Sequence, residues 1–141
     1  MADPIQFFSE IDFKPNQIAR RRAWLHGVIE GFQRRAGNLC FIFLDDASLL
    51  SMNQSYLHHN TYTDIITFDL SVEPPDLSGD IYISIERVKE NAIQWNQSFN
   101  DELDRVLVHG VLHLVGLQDK STAQKKRMRE QEDYWLNLRS H

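Results

Sequence analysis

Cysteine is nearly absent from this 141-residue chain: Cys40 stands alone, so no internal disulfide can form and stability must come from burial. Cys40 itself lies in the apolar run 39–44, where a thiol reads as a small buried hydrophobe. Long hydrophobic runs are missing as well. Nothing approaches the ~20 apolar residues of a membrane-spanning helix, so no membrane partner is expected. The first residues lack the basic-then-apolar order of a secretory leader, which makes a cytoplasmic location the expectation. Excess positive charge is also lacking. A net charge of −5 argues against nucleic-acid binding by bulk attraction, while leaving room for a local basic groove. Repeats, low-complexity tracts and long linkers do not occur. What remains is an ordinary globular composition, 42% hydrophobic and 25% charged, expected to form a single domain over residues 1–141.

Hydrophobic periodicity divides the chain into nine elements. Residues 4–9 read as a short strand. Pro15 opens a helix to about Ala36, with Ile18, Leu25, Val28, Ile29 and Phe32 on one face and Gly37 as its C-cap. The run 39–45 is a buried strand. Asp45 or Asp46 caps a helix to about Tyr56, residues 58–62 form a polar loop, and 64–70 form a strand. The segment 71–79, with Pro74, Pro75 and Gly79, reads as a connection. Strict alternation marks a strand at 80–85. Helices follow at about 86–96, 99–115 and 122–138, the last announced by the capping-box pattern Ser121 to Gln124. The order implies an α/β (α+β) fold, a small mixed four-stranded sheet covered by about five helices.

The chemistry is concentrated in residues 109–119. His109 and His113 share one face of a helix at i and i+4, close enough to hold one ion. Gly116 can leave the helix through a left-handed conformation, letting the chain double back and present Asp119 as third ligand. Two imidazoles and a carboxylate suit a catalytic zinc, one per chain, with the fourth position left for water. The spacing is also that of the metzincin proteases, but those carry a glutamate as general base directly after the first histidine. Gly110 stands there and cannot move a proton.

Around these ligands the chain resembles the YbeY family of bacterial endoribonucleases and rRNA maturation factors. Residues 109–116, His-Gly-Val-Leu-His-Leu-Val-Gly, match the family's H-G-x-L-H-L-x-G; residues 63–68 are similar to its T-D-V-L-S-F strand. Gly79, Asp80 and Ile81 match a G-D-I element, Asn53 and Tyr56 an N-x-x-Y element, and Met128 with Glu132 the closing helix. The resemblance implies a zinc-dependent endoribonuclease specific for single-stranded RNA. Its expected work is 3′-end maturation of small-subunit rRNA and ribosome quality control, with RNA and the ribosomal small subunit as partners and no organic cofactor. Two alternatives stay open: a ribosome-assembly binding factor whose metal is mainly structural, and a metzincin-like metallohydrolase of other substrate.

The chain departs from the family pattern twice. Most relatives have histidine where Asp119 stands; a carboxylate remains an acceptable zinc ligand but makes the site harder and its water less acidic. Many relatives carry an arginine where this chain has Leu57, which cannot bind an anion. His58 and His59 lie beside the gap, and His59 is the candidate catalytic donor, with Asp80 a weaker one. Two basic groups, Arg20, Arg21, Arg22, Arg34 and Arg35 near the first helix and Lys125, Lys126, Arg127 and Arg129 on the last, read as solvated faces unless they steer phosphates. Trp24, Trp95 and Trp135 read as core anchors.

Overall fold

The computed structural model describes residues 2–57 and 63–141; His58 and His59 fall outside them. Four strands, β1 (Ile5–Ser9), β2 (Arg35–Leu44), β3 (Ile65–Asp69) and β4 (Asp76–Ser84), form one sheet in the order β1-β2-β4-β3. The pairs β1–β2 and β2–β4 are parallel, and β3 runs antiparallel along β4 as an edge strand. Five helices join them: α1 (Ile18–Gly31), α2 (Asp46–Leu57), α3 (Ile85–Gln94), α4 (Phe99–Leu114) and α5 (Thr122–Leu136). The expected class, a mixed four-stranded sheet with five helices, is what forms.

Alternation along the strands assigns the two faces. Leu39, Phe41, Phe43, Leu77, Ile81 and Ile83 are fully buried in the main core, which α1 and α4 complete with Leu25, Val28, Leu107 and Val111. The opposite face holds a smaller cluster of Leu44, Leu49 and Ile66, covered by α2. Helix α4 is therefore the central helix. From Asp101 onward only positions 101, 105, 109 and 113 are half-exposed, one residue per turn, and every other residue to Leu114 is buried. That single stripe carries both histidines of the motif.

Three boundaries differ from the expectation. Helix α1 begins at Ile18, after Gln17 in a left-handed conformation, and ends at Gly31 rather than near Ala36. Gln33 turns left-handed, and the chain reverses so that Arg35 already pairs with Asp76 in the sheet. Arg35 and Ala36 are thus won from the helix by strand pairing, a tertiary gain that periodicity cannot register. Gly37 is no C-cap but part of β2, where a side chain would collide with the Ser78 hydroxyl that accepts the Asn38 N–H at 2.9 Å. The expected connection 71–79 likewise gives its second half to β4.

Candidate metal centre

Helix α4 is capped by Ser98, whose hydroxyl accepts the Asp101 N–H at 3.0 Å, and acidic Asp101 and Glu102 occupy its positive first turn. At the other end the expectation for Gly116 holds. It adopts φ +112°, and the Leu117 N–H returns to the Leu112 carbonyl at 3.0 Å. This turn swings the chain back so that Asp119 faces the helix it has just left. It also presents the Leu117 carbonyl to His113, whose Nδ1 donates to it at 3.0 Å.

The three ligand atoms converge. Asp119 Oδ2 lies 3.4 Å from His109 Nε2 and 3.4 Å from His113 Nε2. Donors ~2.0–2.1 Å from an ion in tetrahedral geometry stand about 3.3–3.4 Å apart. The imidazoles meet edge-on, with ring centres 4.5 Å apart at 81°. All three side chains keep some exposure, so a ligand could reach the point between them. The donor set therefore fits a zinc-like ion with an open position.

The second ring nitrogens strengthen the fit. A nitrogen facing a metal must be unprotonated, so the proton must sit on the other one and find an acceptor. His113 uses the Leu117 carbonyl. His109 uses Glu132 on α5, whose Oε2 lies 2.7 Å from Nδ1, while Oε1 accepts from Arg105 Nη1 at 2.8 Å. Arg105 also binds Asp133 at 2.6 Å. Burial works against charge on His109, but the Glu132 hydrogen bond and the charges of Glu132, Asp64 and Asp119 hold its pKa above the ordinary imidazole value. On the far wall, Asp64 precedes β3, and burial pushes its carboxyl up despite the opposing pull of His109.

Of the residues singled out beforehand, His109, His113 and Asp119 are brought together. His59 lies outside the described residues. Asp80 sits on the sheet face away from α4, since its neighbour Ile81 is the one that packs against Gly110. The first basic group is mostly structural: Arg21 is buried against Asp104, Arg34 binds the Pro75 and Asp76 carbonyls, and Arg22 stacks over Phe7. In the second, Lys125 and Arg129 line the hollow beside His109 and Asp119, whereas Arg127 faces a different one. Trp24 is a core anchor that donates to the Trp135 carbonyl at 2.8 Å; Trp95 is 60% exposed and is not. Glu132, Asp64 and Arg105 were not assigned to the site from sequence. Glu132 left one signal, an acid one turn after Met128 on the buried stripe of α5.

Mixed sheet, central helix and three converging side chains define an α/β protein with a candidate metal centre. The family model described as "Endoribonuclease YbeY" matches residues 10–139. Curated relatives of that name include one from Christiangramia forsetii, 47% identical over 95% of this chain and 93% of its own, and one from Cytophaga hutchinsonii, 45% identical over 97% and 96%. This chain belongs to the YbeY family. A Thermotoga maritima protein with a solution structure shares the fold at a TM-score of 0.67, with 24% identity over 94% of this chain and 87% of that one.

Proposed function

We propose that this protein is a zinc-dependent endoribonuclease that cuts single-stranded RNA, acting in the cytoplasm in 3′-end maturation of small-subunit rRNA and in ribosome quality control. The observation that carries the reading is the convergence of His109, His113 and Asp119, with both Nδ1 atoms hydrogen-bonded elsewhere, on a chain of a family described as endoribonuclease. When bound there, a divalent ion supplies a water of lowered pKa and positive charge against a phosphoryl oxygen. The chain's own residues do the rest. Glu132 and the Leu117 carbonyl hold the imidazoles in the ligating tautomer. Lys125 and Arg129, one turn apart on α5 at the rim of the centre, make no ion pair among the described residues and are placed to hold RNA phosphates. His59, on the segment leading to Asp64, is the candidate donor to the leaving ribose oxygen.

The test is cleavage of a single-stranded RNA by zinc-loaded protein, with Asp119→Ala as control and His59→Ala beside it. Asp119→Ala should bind zinc more weakly and lose activity, and His59→Ala should cut about tenfold more slowly or worse with zinc content unchanged. One observation favours the assembly-factor reading: Leu57, where an arginine is expected, ends α2 as an exposed apolar side chain. Full zinc occupancy without cleavage of any single-stranded RNA would decide for it.

A further inference from the structure

Burying a carboxylate without a hydrogen-bond partner is costly, and native structures seldom do it without reason. Glu102 has no such partner: its side chain makes no hydrogen bond or ion pair among the described residues, and although the residue is only 7% exposed its oxygens are not sealed from solvent. It lines a cleft of about 200 Å³ that opens beside His109, together with Asp64, Asn91, Trp95, Arg105 and Arg129. Arg105 is committed to Glu132 and Asp133, so the arginines temper the Glu102 charge only from a distance. Trp95 is out of place in the complementary sense, a large indole left 60% exposed at the mouth of the same cleft. An acceptor with nothing to accept and an aromatic face with nothing on it thus share one hollow.

We infer that this cleft is a nucleobase subsite, in which Trp95 stacks on the base next to the cut phosphate and Glu102 reads its edge. The inference rests on RNA as substrate. Glu102 lies seven residues before His109 on α4, about 10 Å along the axis. That is too far to act on the phosphate at the metal and suits the base of an adjoining nucleotide. Arg129 lines both this cleft and the hollow at Asp119, so it can hold the backbone between the two. The chemistry of the edge then sets a preference, because a carboxylate only accepts. Guanine offers two neighbouring donors, N1–H and the 2-amino group, to the two carboxylate oxygens. Adenine and cytosine offer one amino group beside an acceptor nitrogen. Uracil sets a single N–H between two carbonyls, which would face the carboxylate with repulsion.

The experiment measures binding of guanosine and uridine 5′-monophosphates to the zinc-loaded protein by calorimetry, with tryptophan indole N–H resonances followed in parallel. The wild type should bind the guanosine nucleotide at least about tenfold more tightly and shift one indole resonance, which disappears in Trp95→Ala. Glu102→Gln, equal in size but able to donate, should bring the two affinities within about threefold of each other. Trp95→Ala, an exposed change that cannot disturb the core, should weaken both nucleotides by about tenfold and keep their ratio. Equal affinities in the wild type, an unaltered ratio in Glu102→Gln, or no indole shift would each overturn the subsite. Cleavage indifferent to base and to Glu102→Gln would sink this inference and leave the nuclease intact. A guanosine preference without cleavage would do the reverse.

Discussion

Replacing Glu132 with glutamine tests whether the centre depends on what stands behind its ligands. Glu132 is 6% exposed and answers two donors at once, His109 Nδ1 at 2.7 Å and Arg105 Nη1 at 2.8 Å. Only a group with two acceptor atoms can do this. A glutamine that turns its carbonyl to His109 opposes its amide hydrogens to Arg105. Turned the other way, it donates to Nδ1, moves the ring proton to Nε2 and blocks the ligating nitrogen. Either orientation weakens the site without changing its shape. Loss of such a partner behind a metal-bound histidine typically costs ~10–100-fold in affinity, or about 1.4–2.7 kcal/mol. Competition titration against a chromophoric zinc chelator reads this directly. A downfield Nδ1–H resonance of His109 is expected in the wild type and should move upfield or vanish in Glu132→Gln, because a neutral amide replaces the charged acceptor. Asp133→Ala, which removes only the exposed partner of Arg105, should leave zinc affinity unchanged. Wild-type affinity and an unaltered Nδ1–H signal in Glu132→Gln would refute the reasoning.

The raised pKa of His109 gives a stability dependence with a definite sign in protein stripped of metal. Because the folded value lies above the unfolded one, the stabilisation is complete below the ordinary imidazole value of ~6.5 and disappears as pH rises through the raised value. The stability gap between metal-free wild type and Glu132→Gln should therefore narrow on going from roughly pH 6 to pH 9, measured by urea unfolding with chelator present; a widening gap would contradict it. Asp119→His should retain zinc and move the pH–rate profile of RNA cleavage to lower pH, because removing a negative ligand makes the site's water more acidic; an unmoved profile would take Asp119 out of the coordination shell. Asp104, fully buried, accepts from Arg21, Arg139 and His141, so Asp104→Ala strands a buried guanidinium and should cost ~3–5 kcal/mol in thermal or denaturant unfolding. A loss under about 1 kcal/mol would mean that water reaches Arg21.

Legibility in the sequence followed locality. The candidate metal ligands lie within eleven consecutive residues, and helical spacing plus one glycine turn suffice to converge them. Strand β4 shows its alternation in the sequence only from Asp80 onward, and its first residues pair with Arg35 and Ala36, which read as the end of a helix. Glu132 and Asp64 reach His109 from α5 and the start of β3, and no local pattern encodes an approach between chain segments that far apart. In the sequence Arg21 reads as part of a basic surface group. Its partner Asp104 lies 83 residues away in sequence, on another helix, which turns an expected solvent charge into a core ion pair.

Gly110 carries an implication about which chemistries this scaffold can ever host. Here α4 packs closely on the sheet: a Cβ at position 110 would stand 3.0 Å from Ile65 Cδ1 and 3.0 Å from Ile81 Cγ2. In the metalloproteases sharing this ligand spacing, the same position holds the glutamate that serves as base. Here the backbone turns it toward strands β3 and β4, into the apolar core and away from the ligands. A glutamate at 110 would push a carboxylate between two isoleucines, where burial would neutralise or expel it. A glutamate base at position 110 is thus closed to this architecture by the packing of one helix on one sheet.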